Sequence, residues 1–141
     1  MTTQAANAAE SGALAKGGII PYLNVDGAMK AAAFYEKAFG ASVIFAQPVD
    51  DQGRTMHVHL HLNGNSLMMS DAYPEHGHPL EKASGYTLHL QFQDDVQSHW
   101  DRVVAAGVEV VLPLQLMFWG DTYGIVKDPF GVSWSLASTP K

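Results

Sequence analysis

Apolar residues recur along the chain with two periods, that of a strand and that of a helix. Ile19 to Val25 splits into Ile19, Pro21, Leu23 and Val25 on one side and Ile20, Tyr22 and Asn24 on the other, which predicts a strand. Residues 27 to 39 place Ala28, Ala32, Tyr35 and Phe39 at i, i+4, i+7 and i+11, one stripe of an amphipathic helix. Gly40 suits the left-handed residue that ends such a helix. Ser42 to Val49, Thr55 to Leu62 and Ser66 to Asp71 read as strands, with turns at Asp50-Asp51-Gln52-Gly53 and Asn63-Gly64-Asn65.

The same order returns further on. Tyr86 to Gln93 is a strand, and Asp94 or Asp95 caps a helix with Val96, Trp100, Val103 and Gly107 on its stripe. Val108 to Leu114 is a strand. A hairpin follows, from Thr122 to Lys127 and from Val132 to Ala137, closed by Asp128-Pro129-Phe130-Gly131. Pro fixes φ in that turn and Gly takes the positive-φ position. Val25 and Gly40 are as far apart as Phe92 and Gly107, so a repeat survives as spacing. The fold class is α+β: two βαβββ modules, each a curved sheet with a helix on its outer face, the two sheets together forming a cup. Tyr73 to Gly85 is rich in Pro, Gly, His and charge and reads as a linker. The predicted organisation is a disordered tail over 1–17 and one domain over 18–138. Within that domain, module one covers 18–72, the linker 73–85 and module two 86–138.

Alternation also sorts the strand faces. Val58, Leu60 and Leu62 oppose His57, His59 and His61; Leu88, Leu90 and Phe92 oppose Thr87, His89 and Gln91; Val132, Trp134 and Leu136 oppose Ser133 and Ser135. His57, His59, Thr87, His89, Gln91, Ser133 and Ser135, with Tyr22, Asn24 and Ser70, either line a shared hollow or face water on half-buried sheets. Trp100 and Trp134 fall on core faces. Ahead of the last hairpin, Phe118-Trp119-Gly120-Asp121 with Tyr123 suits a pocket wall. Asp121 is either an orienting acid for a ligand or a turn residue. His76, His78 and His99 read as solvated.

Composition narrows the classes. A chain of 141 residues predicts one compact domain. It has no cysteine, which removes disulfides, thiolate metal sites and a cysteine nucleophile and suits the cytoplasm. Only eight basic residues against fourteen acidic ones argue against nucleic acid, and no long apolar run argues for a membrane span. No phosphate-binding loop, dinucleotide fingerprint or hydrolase elbow is present.

Several pieces in order resemble the vicinal-oxygen-chelate superfamily, which includes glyoxalase I, fosfomycin- and bleomycin-resistance proteins and extradiol dioxygenases. They are Pro21-Tyr22-Leu23-Asn24-Val25, Phe34-Tyr35, Ala38-Phe39-Gly40-Ala41, Met56-His57, Phe118-Trp119-Gly120-Asp121-Thr122-Tyr123-Gly124 and Asp128-Pro129-Phe130-Gly131. The likeness is to the PhnB-like branch in particular. It implies a ligand site inside the cup and a homodimer. It leaves the chemistry open among lyase, isomerase, transferase and dioxygenase reactions and plain binding.

In metal-using relatives four ligands, usually His and Glu, come from the first, fourth, fifth and eighth strands. Carried over by strand ends, those positions are Ile20, Met68, Thr87 and Ser135, none a strong ligand. The first expectation is therefore a small-organic-molecule-binding protein with no cofactor. Its ligand-binding residues are Tyr22, Asn24, His57, His59, His89, Phe118, Trp119, Asp121, Tyr123 and Ser135, with His57 as candidate general base. The alternative is a metal-dependent enzyme, glyoxalase-like or fosfomycin-thiol-transfer-like, holding a divalent metal with His57, His59 and His89.

Overall fold

A computed structural model describes residues 7–140. It contains two four-stranded mixed sheets and, among the described residues, three α-helices. By contact the chain divides into two compact units. One runs to Glu36 and resumes over Gly40–Glu81; the other takes Lys37–Phe39 and the chain from Lys82 onward.

In the first unit, β1 (Tyr22–Val25), α2 (Ala28–Phe39), β2 (Ser42–Ala46), β3 (Val58–Leu62) and β4 (Asn65–Asp71) build a sheet of order β1-β4-β3-β2. β1 runs parallel to β4, and the other pairs are antiparallel. Leu23, Val25, Val58, Leu60, Leu67 and Met69 are buried, as is the Ala28, Ala31, Ala32, Tyr35 stripe of α2. Alternation predicted these sheet residues, because one face of each strand must leave water. β1 is shorter than expected: Ile19 is 89% exposed, and pairing begins at Tyr22 beside Met68. β3 is shorter too, because Thr55 is drawn into a loop in which its amide donates to the Asp71 carboxylate.

The predicted disordered tail is corrected over part of its length. Residues 1–6 lie outside the described residues, but Ala8–Ala13 form helix α1. Asn7 caps it: its Oδ1 accepts the Glu10 amide at 2.9 Å, while Asn7 Nδ2 donates to the Glu10 side chain at 2.7 Å. So short a helix needs tertiary support, and Ser11 supplies it by reaching His59.

In the second unit, β5 (Leu88–Phe92), α3 (Val96–Gly107), β6 (Glu109–Leu116), β7 (Thr122–Lys127) and β8 (Ser133–Ser138) repeat the plan, in sheet order β5-β8-β7-β6. Asp95 is the cap of α3, accepting the Gln97 amide. Val96, Trp100 and Val103 are its buried stripe, whereas Gly107, expected on it, is exposed at the end of the helix. Gly124 of β7 is the position that admits Trp100: a Cβ there would stand 2.6 Å from the indole. The Phe39 ring lies 4.6 Å from that of Trp134, which explains why the last turn of α2 groups with this unit.

Candidate functional site

The first unit has an open pocket of about 420 Å³ lined by Tyr22, Asn24, Met56, Ser70, Asp71, Tyr73, His76 and His78. Register explains the polar wall: Asn24 of β1 pairs with Ser70 of β4, so both side chains leave the same face. The Tyr22 hydroxyl lies 3.0 Å from His57 Nδ1 and 3.2 Å from the Met56 carbonyl, and the Tyr22 and His57 rings stack at 5.7 Å. Burial raises the Tyr22 phenol above its usual pKa and lowers the His57 imidazole below its own, so both are neutral near pH 7. A neutral imidazole beside a neutral phenol can relay or accept a proton.

Asp71 lines the pocket yet serves the fold. Its Oδ1 accepts the Gly27 and Ala28 amides and its Oδ2 the Thr55 amide. The far wall is the Tyr73–His78 loop, where Pro74–His76 make one 3-10 turn. Arg54 holds it, pairing with Glu75 at 2.7 Å and Asp50 at 3.0 Å over the Tyr73 ring. The Arg54 guanidinium keeps the Glu75 carboxyl at about 2. His76 and His78 are exposed, as the sequence implied, but they also line the pocket. Sequence reasoning missed them as site residues because a loop has no period to aim its side chains.

His59 departs from expectation. Alternation puts it on an open face, yet it is fully buried. Its Nδ1 is 2.7 Å from Ser11 Oγ and its Nε2 2.7 Å from Ser66 Oγ. Both nitrogens are committed, so His59 has no free lone pair for a ligand or metal. No signal in residues 1–17 points to Ser11. Burial first, then the neighbouring His61 and His57, lowers the His59 pKa from 6.5.

The sign of that shift gives a pH dependence. Above about pH 7 His59 is neutral folded and unfolded, and contributes nothing to the difference. As pH falls through 6.5 the unfolded chain takes up a proton that the native one refuses, so stability drops until the lowered native pKa is passed. Thermal unfolding from pH 7.5 to 5 is expected to fall more steeply for the wild type than for His59→Asn; equal slopes would remove His59 from the account.

In the second unit His89 Nδ1 is 2.7 Å from Ser135 Oγ and its Nε2 2.9 Å from Gln91 Oε1. The His89 ring stacks on Tyr123 at 5.9 Å, Tyr123 meets Trp119 edge-on at 5.6 Å, and Trp119 meets Phe118 at 4.8 Å. Phe118 is 96% exposed and Trp119 48%. Four rings thus form a row open to solvent. Ser135, expected on an open face, is buried against His89. Asp121 closes the turn through its backbone carbonyl, which accepts the Met117 amide at 2.8 Å.

The divalent metal of the relatives that the sequence resembles finds no strong ligand at the four positions carried over from them. Ile20 offers no lone pair, Met68 a thioether and Thr87 and Ser135 hydroxyls. Reading the register instead of strand ends puts Tyr22 beside Met68 and His89 beside Ser135, which adds one imidazole whose nitrogens are both bonded. Among the described residues no three His, Asp or Glu gather as a metal site. No helix among them is long and apolar enough to cross a membrane.

Comparison with known proteins places the chain. The Mycobacterium tuberculosis protein Rv0887c is 39% identical over 122 residues, covering 82% of this chain and 71% of its own. Protein PA1353 from Pseudomonas aeruginosa superposes with a TM-score of 0.72 at 27% identity, covering 87% of this chain and 98% of its own. A PhnB protein from Bacillus cereus shares the fold, with a TM-score of 0.67 at 23% identity over 87% of this chain and all of its own (100%). The family model of the Glyoxalase/Bleomycin resistance protein/Dioxygenase superfamily matches residues 18–136, and the chain belongs to that superfamily.

Proposed function

We propose that this protein binds a small organic molecule without the family's usual metal. The pocket beside Tyr22, Asn24 and Ser70 carries the reading, because it combines ring faces with a few convergent polar groups. His57 is its candidate general base, bonded to Tyr22 at the pocket edge. The Phe118, Trp119, Tyr123 and His89 row is a second ligand face, suited to stacking, with Asp121 two positions before Tyr123 in sequence and Ser135 bonded to His89. A metal held by His57, His59 and His89 is disfavoured by the serine hydroxyls that occupy both nitrogens of His59. Family membership supports a homodimer, and the absence of cysteine from all 141 residues suits a cytoplasmic setting.

The test is calorimetric titration of the metal-stripped full chain with bleomycin, fosfomycin and a panel of small aromatic acids and amines. Saturable binding is expected, weakened about tenfold in Asn24→Ala, the loss of roughly one well-placed hydrogen bond. Binding that appears only after a divalent metal is restored would overturn the reading.

A further inference from the structure

The second half of α1 and the residues that follow it are fastened to the histidine-bearing face of the first sheet. Ser11 Oγ meets His59 Nδ1 at 2.7 Å, and His61 Nε2–H donates to the Leu14 carbonyl at 2.8 Å. The Lys16 amide donates to Ser66 Oγ at 2.8 Å, and the Ser66 amide donates back to the Lys16 carbonyl at 2.9 Å. Gly17 follows at φ 96°, where a Cβ would collide with the Asn65 side-chain amide. Ser11 is buried, whereas Gly12 to Gly18 are exposed, so the segment is a single layer with water on its other side.

The covered face runs on into the pocket. Strand register sets three rows across it: His61 with Ser66, then His59 with Met68 and Tyr22, then Ser70 with Asn24. The segment takes the first row and His59, and the pocket takes the third. Tyr22 shares the middle row with His59 and also lines the pocket. Rows on one face lie about 7 Å apart, so the full run accommodates a molecule longer than the pocket alone.

We propose that residues 11–17 are a displaceable strap that closes one end of the site. Seated, the strap ends the site at Tyr22 and masks His59 and His61. Displaced, it joins those imidazoles and Ser66 to the pocket as one longer site. What the strap gives the face is a hydroxyl, two carbonyls and an amide N–H, so the molecule that replaces it is elongated and amide-bearing. This rests on the pocket being a ligand site, but the masking of His59 is measurable without any ligand.

The experiment is diethyl pyrocarbonate modification of the full-length protein, read at each histidine by peptide mass spectrometry, with exposed His78 as internal standard. Gly17→Val places a β-branched residue at the left-handed position and against Asn65, and is expected to speed His59 modification about tenfold. Ser11→Ala, which leaves the backbone unchanged, is expected to speed it to a smaller extent. A synthetic peptide of residues 7–18, added to Gly17→Val at millimolar concentration, is expected to restore protection of His59 and leave His78 unchanged. Slow His59 modification in both variants overturns the proposal. So does modification that merely follows global unfolding by circular dichroism, or protection that the peptide fails to restore. Failure of the calorimetric titration together with success here would remove the pocket reading and keep the strap.

Discussion

Replacing Asp71 by alanine is expected to lower the stability of the protein by about 3 to 5 kcal/mol, which moves the thermal midpoint down by roughly 10 to 20 °C. Helix α2 has no side-chain cap of its own, since Gly27 stands at the N-cap position. The orphan amides at its start are satisfied instead by Asp71 Oδ1, at 2.7 Å from Gly27 N and 3.0 Å from Ala28 N. The other oxygen accepts the Thr55 amide at 2.9 Å, and the side chain is nearly fully buried. One carboxylate therefore ties β4 to the helix and to the loop before β3. Alanine leaves three backbone donors without an acceptor in a region water reaches poorly, and charge-assisted bonds are the strong ones. Asparagine in place of the acid would keep one acceptor oxygen and so satisfy either the helix or Thr55. Asp71→Asn is expected to fall between wild type and Asp71→Ala in urea unfolding. An alanine variant within 1 kcal/mol of wild type would mean that the three amides find other partners.

Asp128→Ala is expected to produce the second largest loss, about 3 kcal/mol. Asp128 Oδ1 accepts the Phe130 and Val132 amides at 2.8 and 3.0 Å, which shapes the turn between β7 and β8. Asp128 Oδ2 accepts the Trp134 indole N–H at 2.8 Å, and Trp134 is 2% exposed. The acid thus fastens the turn to the core beneath it. A double-mutant cycle isolates the indole bond: in a Trp134→Phe background the loss from Asp128→Ala should shrink by about 1 to 2 kcal/mol. Simple addition of the two single losses would instead assign the whole effect to the turn.

Both acids are visible in the sequence, with unequal meaning. Asp128 stands in a Pro-Phe-Gly turn whose chemistry is local, so its role in the turn is legible there. Its bond to Trp134 is not. Asp71 closes a predicted strand and gives no sign of capping a helix 43 positions earlier. The polar face of the first sheet shows the same division. Alternation assigns Tyr22, Asn24, His57, His59 and Ser70 to one side, and register puts Asn24 with Ser70 and Tyr22 with Met68. The burial of His59 depends on Ser11, which lies 48 positions away in a stretch with no periodic pattern.

Sequence alone determined the α+β class, the repeated order of elements, the buried stripes of both helices and the superfamily. All but the last follow from periods of two or 3.6 residues and from turn residues that act on their immediate neighbours, whereas the superfamily was reached through the resemblance of its ordered motifs. Tertiary structure alone decided which imidazoles are free, which carboxylates serve the fold and which loop walls the pocket. Those outcomes depend on pairs of groups brought together by strand register and chain packing over tens of residues, and a local pattern carries no record of the partner on the far side.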